Sequence, residues 1–188
     1  MFFILSFLSC VSIFEKLSSN DDTSVEDSSV IAEDNICGYS LGDKSCNLVS
    51  DDQFLEEFNL QDNLGSVVVI DFSTMWCGYC QVSASVGNDI YLEYKNEGFV
   101  WVTMLIEDSQ GNIPNLYDQQ TWSGMFELDH PVLSGSREEY IDYNEENGYS
   151  ITSWPTFYIL DRSHNIRYIN KGWGESGMRA SIKELLDE

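Results

Sequence analysis

Residues Val67-Val68-Val69-Ile70-Asp71-Phe72 run through Ser73-Thr74-Met75-Trp76 into Cys77-Gly78-Tyr79-Cys80, a pair of cysteines two residues apart. A run this rich in β-branched and apolar side chains predicts a strand covered on both faces, not an edge strand with one wet face. After Cys80 the apolar residues change period: Val86, Ile90, Tyr91 and Tyr94 follow Val82 by four, eight, nine and twelve positions, which predicts a helix from Cys80 to about Asn96, closed by Gly98. The two cysteines therefore sit on a strand-to-helix turn.

Only the thiolate is a good nucleophile, and the first turn of a helix stabilises it with unpaired N–H groups and positive dipole charge. Cys77 reads as the attacking thiol. Cys80, one turn further in, can reach back to close a disulfide and reads as the resolving thiol. Asp71 is an acid inside an apolar strand, so desolvation raises its pKa and equips it to accept the proton of Cys80. The competing reading is a hydrated acid at the strand end.

Trp76-Cys77-Gly78-Tyr79-Cys80 after a Val-rich strand resembles the redox site of the thioredoxin superfamily. Asp71, six residues before Cys77, falls where that family keeps a buried acid, Trp154-Pro155-Thr156 resembles its cis-proline loop, and Gly172 precedes a last amphipathic helix. The resemblance covers roughly residues 50 to 188. It implies an α/β thioredoxin fold, a central mixed β-sheet flanked by helices, and thiol-disulfide exchange through Cys77 and Cys80 with Asp71 assisting. It also implies a substrate surface from Trp76, Gly78, Tyr79, Trp154, Pro155 and Thr156. By sequence alone an X-Pro bond is usually trans; cis at Pro155 rests on the resemblance. The implied partners are protein thiols and disulfides and a second dithiol protein that exchanges electrons; no metal or organic cofactor is implied.

Nearly fifty residues separate the strand Phe99 to Ile106 from Pro155. Within them Leu116 to Phe126 reads as a helix, His130 to Leu133 as a short strand, and Ser136-x-x-Glu139 as the cap of a helix stopping near Gly148. This helix-strand insertion before the cis-proline loop resembles the TlpA/ResA-like and redoxin branch, membrane-tethered oxidoreductases that most often act as reductases. Thr156 to Leu160 and Ile166 to Asn170 predict a hairpin, and Met178, Ile182, Leu185 and Leu186 a closing helix. Ser50-x-x-Gln53 followed by Phe54, Leu55 and Phe58 predicts a short capped helix near the start. His130 and His164 read as ordinary residues. Thr74-x-x-Cys77 matches part of a peroxiredoxin signature, but Ile70 stands where its proline belongs, so peroxide reduction is not expected.

Nine Lys and Arg against 32 Asp and Glu, a net charge of −23, argue against nucleic acid or an anionic membrane surface as partner. Residues 1–14 are almost wholly apolar yet shorter than the roughly 20 residues of a membrane span, and read as an export signal despite lacking a basic start. Phe7-Leu8-Ser9-Cys10 resembles a bacterial lipobox, which makes Cys10 a candidate for lipidation; ordinary cleavage and an uncleaved anchor are the alternatives. Each reading puts the folded part outside the cytoplasm, in the periplasm or cell envelope. Residues 15–35 have the composition of an acidic disordered tether, leaving 36–188 as one domain. Cys37 and Cys46 flank a Gly-containing turn and read as a structural disulfide, with a second redox pair or half of a zinc site as alternatives.

Overall fold

The computed structural model describes residues 37–188, so the signal segment, the acidic tether and Cys10 lie outside the described residues. The described residues form one compact unit. Five strands make the central sheet: β3 (Val67–Thr74), β4 (Phe99–Glu107), β5 (Val132–Ser134), β6 (Thr156–Leu160) and β7 (Ile166–Lys171). Their order is β5-β4-β3-β6-β7, with β3, β4 and β5 parallel and β6 and β7 antiparallel, so β3 is central and every one of its residues is buried. A separate hairpin pairs β1 (Val49–Asp51) with β2 (Glu57–Asn59).

Strand alternation splits the core in two. Val68, Ile70 and Phe72 of β3, with Val102 and Met104 of β4, face Leu48, Phe58, Tyr149 and Ile151 from the N-terminal segment and the loop before β6. Val67 and Val69, with Phe99 and Trp101, face helices α1 (Gly78–Tyr94) and α4 (Glu175–Leu186). Gly87 lets α1 lie close to the sheet, since a Cβ there would stand 3.1 Å from the Trp101 ring. The helix ends before Gly98, whose φ of 77° the turn into β4 requires. Helix α2 (Leu116–Met125) starts with Asn115 and Asp118 in a reciprocal capping box, and its Trp122 packs with Leu105 and Val132. α2 and β5 are the insertion that the spacing between β4 and Pro155 predicts. Among the described residues no helix is long and apolar enough to cross a membrane.

Three local expectations give way to competing hydrogen bonds or packing. Ser50 to Phe58 is not a helix: the Asp52 carboxylate accepts from the N–H of Phe54 at 2.8 Å and of Glu56 at 3.0 Å, closing the β1–β2 turn instead. Gln53 is drawn into the core, where it accepts from Val132 N–H at 2.7 Å and donates to the His130 carbonyl at 3.1 Å, while Phe54 and Leu55 face solvent. The Ser136-capped helix α3 stops after one turn (Arg137–Tyr140), because the Asp142 carboxylate captures the N–H groups of Asn144 and Asn147. On α1 the buried stripe is Cys80, Ser83, Ala84, Gly87 and Ile90, whereas Val82 is exposed. The helix is rotated so that Cys80 points inward.

Candidate active site

The face that each β3 residue occupies decides what lies beneath the cysteines. Val67 and Val69 point to α1, so the period of two puts Asp71 and Ser73 on that face as well. β4 runs parallel in register, Asp71 against Thr103, and Leu105 on the same face packs with Cys77 and Cys80. The apolar layer under α1 thus becomes polar at Asp71, Ser73 and Thr103, near enough to Cys80 for the Asp71 charge to act on its thiol.

Cys77 is the N-cap of α1, with φ −84° and ψ 114°, and its Sγ accepts the Cys80 N–H at 3.2 Å. That contact sets Cys77 at the end of the helix that carries unpaired N–H groups and positive dipole charge. Both cysteines are free thiols; Cys77 retains 7 % exposure and Cys80 none. Burial pushes the Cys80 thiol far above its ordinary range, the hydrogen bond with Cys77 and the charge of Asp71 add to the rise, and the Thr74 backbone opposes it. Cys80 therefore attacks only once its proton has an acceptor.

Asp71 is 1 % exposed, and desolvation lifts its carboxyl from 3.8 to about 7. Hydrogen bonds from Ser73 Oγ at 2.7 Å and Thr103 Oγ1 at 3.4 Å, together with Trp101, hold it from rising further. An acid poised near neutrality, close enough for its charge to act on the Cys80 thiol, is suited to take that proton.

The mouth of the site is framed by aromatic and charged side chains. Trp76, half exposed, donates its indole N–H to Glu107 Oε2 at 2.7 Å; the other oxygen of Glu107 pairs with Arg137 Nε. The Arg137 guanidinium lies 5.2 Å from the centre of the Trp154 ring, and Trp154 packs on the cluster holding both cysteines. The Trp154–Pro155 peptide is cis. Gly78 and Tyr79 are exposed, whereas Pro155 and Thr156 are buried, the Thr156 hydroxyl donating to Ser153 O at 2.7 Å. A cavity of about 510 Å³ lined by Glu107, Ile113 and Arg137 opens beside this frame.

Cys37 and Cys46 are elsewhere. They are joined as a disulfide with Cα atoms 4.7 Å apart, in a segment whose Lys44 pairs with Asn165 in the β6–β7 turn. That turn follows Leu160, which pairs with Val68, so it lies at the end of β3 away from Cys77. Among the described residues no group of three or more His, Cys, Asp or Glu is gathered to hold a metal ion.

Ser73, Thr103, Glu107, Arg137 and His130 escaped the sequence reading. Alternation along β3 and β4 offers a signal for Ser73 and Thr103; nothing in the local sequence signals the others. His130, which reads as an ordinary residue in the sequence, is 1 % exposed, its Nε2 is 3.1 Å from Thr103 Oγ1, and burial lowers its pKa to about 3.

A mixed sheet of this order, with a Cys-x-x-Cys pair opening the helix after its central strand and a cis-proline loop alongside, defines a thioredoxin-fold protein. Residues 41–169 match the AhpC/TSA family, and the chain belongs to it, as a ResA-like member. The thiol-disulfide oxidoreductase ResA of Oceanobacillus iheyensis is 24% identical over 71% of this chain and 66% of its own length. ResA of Bacillus thuringiensis subsp. konkukian is 23% identical over 79% and 75%. The first of these shares shows that the chain spans about two thirds of a curated relative. A thiol:disulfide interchange protein from Chlorobium tepidum TLS superposes with a TM-score of 0.61 over 81% of this chain and 99% of that one, at 18% identity.

Proposed function

We propose that the chain is an extracytoplasmic thiol-disulfide oxidoreductase, tethered to a membrane through Cys10, that reduces disulfides of partner proteins with the Cys77–Cys80 dithiol. The observation that carries this reading is the graded burial of one polar column: Cys77 capping a helix, Cys80 sealed behind it, and Asp71 beneath with its carboxyl near 7. Location is supported by the apolar start of the chain and by the Cys37–Cys46 disulfide, a bond that persists in oxidising compartments.

In the proposed cycle the Cys77 thiolate attacks one sulfur of a substrate disulfide. A Cys77–substrate bond forms, the substrate S–S bond breaks, and the departing thiolate takes a proton from water. Asp71 then accepts the Cys80 proton, and the Cys80 thiolate attacks Cys77 Sγ. The Cys77–Cys80 bond forms, the mixed disulfide breaks, and the second substrate thiolate is protonated in turn. The substrate gains two electrons and two protons, and the enzyme disulfide is reduced again by a partner dithiol protein, with no metal or organic cofactor. Trp76, Gly78, Tyr79 and Trp154 would meet the substrate at the surface, while Pro155 and Thr156 shape the loop from within.

Equilibration of the full chain with glutathione or dithiothreitol buffers, with thiol trapping and peptide mapping to separate the two cysteine pairs, tests the reading. A potential near the thioredoxin end of the range, about −270 mV, supports a reductase; one near the DsbA end, about −120 mV, makes it an oxidase or isomerase. A pair that never exchanges in the native state leaves a binding module and ends the enzymatic reading. Hydrogen peroxide serves as the control oxidant, since the buried Thr74 hydroxyl, three residues before Cys77, has no hydrogen-bond partner; faster turnover of peroxide than of disulfides would replace the proposal.

A further inference from the structure

One buried imidazole has no part in the exchange steps above. His130 precedes β5, on a segment that crosses beside β4, and Thr103 N–H donates to Pro131 O at 2.9 Å to hold that segment against the strand. His130 Nε2 lies 3.1 Å from Thr103 Oγ1, and the same hydroxyl lies 3.4 Å from Asp71 Oδ2. The ring's other nitrogen, Nδ1, is buried without a partner. With Asp71 ionised, one arrangement of protons satisfies both contacts of the threonine hydroxyl. A threonine hydroxyl has one hydrogen, and when it donates to the Asp71 carboxylate its lone pairs remain to accept from His130 Nε2–H. Nδ1 is then a bare acceptor, and an unpaired acceptor is better tolerated in a protein interior than an unpaired N–H.

We propose that His130 is a positioning residue for the acid of the redox site: by donating to Thr103 it turns the threonine hydroxyl toward Asp71 and favours the ionised carboxylate that receives the Cys80 proton. The inference rests on the oxidoreductase reading for its purpose but not for its geometry. Donation along the chain His130 → Thr103 → Asp71 strengthens each link, because an oxygen that accepts a hydrogen bond becomes a better donor. Burial keeps the imidazole neutral, so it acts as an oriented dipole and not as a charge. From α1 the site faces Cys80, whose thiol the Asp71 charge pushes up, and Tyr91, edge-on to His130 at 5.7 Å; Asp129, adjoining His130, acts on Tyr91. From β4 comes the neutral indole of Trp101 at 6.1 Å, and from β6 the apolar Phe157, in register with Asp71.

The test uses the full, reduced protein, with the Asp71 carboxyl titrated by carbon-13 NMR and the imidazole nitrogens read by nitrogen-15 NMR. In the wild type His130 carries its proton on Nε2 above neutral pH, and Asp71 titrates near 7. In His130→Phe and Thr103→Val the inflection moves up by roughly half to one pH unit, and in His130→Gln, whose amide can replace the Nε2 donor, it returns toward the wild-type value. A proton on Nδ1, or an unmoved inflection in the folded variants, overturns the proposal. If His130→Phe does not fold, the nitrogen-15 spectrum of the wild type decides, since a proton on Nδ1 leaves Nε2 nothing to donate to Thr103. A purely structural histidine would lower the melting temperature and leave the inflection in place. Exchange of the wild type with oxidised glutathione keeps the two readings apart: absent exchange with a movable Asp71 inflection ends the oxidoreductase reading alone, and normal exchange with an immovable one ends this inference alone.

Discussion

The molecule contains two cysteine pairs in contrasting settings. Cys37 and Cys46 lie nine residues apart in an exposed turn and are bonded to each other. Cys77 and Cys80 lie three apart at a helix N-terminus, are buried, and are free. Around the first pair are solvent and the β6–β7 turn; around the second are helix amides above and a buried acid below. Under the proposed function the contrast assigns reactivity to the surroundings of a sulfur atom: a helix end beside Cys77, and an acid to take the proton of Cys80.

The sharpest way to break the contrast is to remove one sulfur from each pair. Cys77→Ser is expected to slow exchange with oxidised glutathione about a thousandfold or more, because no other accessible group there forms a mixed disulfide. Cys37→Ser with Cys46→Ser should leave that rate within about twofold, as followed by stopped-flow Trp76 fluorescence. Equal losses in both would end the distinction.

The acid below the second pair sets the next effect. Asp71→Asn should slow release of a trapped mixed disulfide about ten- to hundredfold at neutral pH, since Cys80 loses its proton acceptor. It should also change stability. Folded Asp71 keeps its proton until about 7 while the unfolded chain loses it from 3.8, so this group makes stability fall as pH rises through that window, by about 4 kcal/mol. His130 works in the opposite sense: the unfolded chain protonates it below 6.5 and the folded chain only near 3, so stability falls as pH drops between those values. The two slopes offset each other between about 4 and 6.5. Urea midpoints across this range should therefore rise with pH in Asp71→Asn and fall with pH in His130→Phe.

Smaller effects sharpen the comparison from the other side. Opening the Cys37–Cys46 bond by the double serine substitution releases a loop of separation nine and should cost about 2–3 kcal/mol of stability, measured by urea unfolding, with exchange unchanged. Arg137→Ala frees Glu107 and uncovers the Trp154 ring at the mouth of the redox pair. It should alter KM for protein disulfides about two- to fivefold and leave glutathione exchange alone.

Much of the redox site was legible because its parts are close in sequence. The strand, the Cys-x-x-Cys turn and the helix after it are one continuous run, and their periodicities change at the turn. The hairpin of β6 and β7 was legible for the same reason. Residues 50–58 misled because Ser50-x-x-Gln53 satisfies a capping box while Asp52 supplies a stronger local alternative, and because Gln53 has buried partners on the segment before β5 and on Val132. The Ser136 cap is real, yet Asp142 ends its helix after one turn.

The Cys-x-x-Cys pair, the acid six residues before it and the strand-to-helix turn between them are written in short-range spacing and period, and the fold family is legible through the resemblance these residues carry. That Thr103 stands against Asp71, that His130 reaches Thr103, and that Glu107 joins Trp76 to Arg137 is visible in the folded chain alone. These contacts cross 32, 27 and about 30 residues of chain, and they exist because parallel strand register and the crossover before β5 bring them together. A side chain's partner across such a distance is set by packing, and no local pattern encodes it.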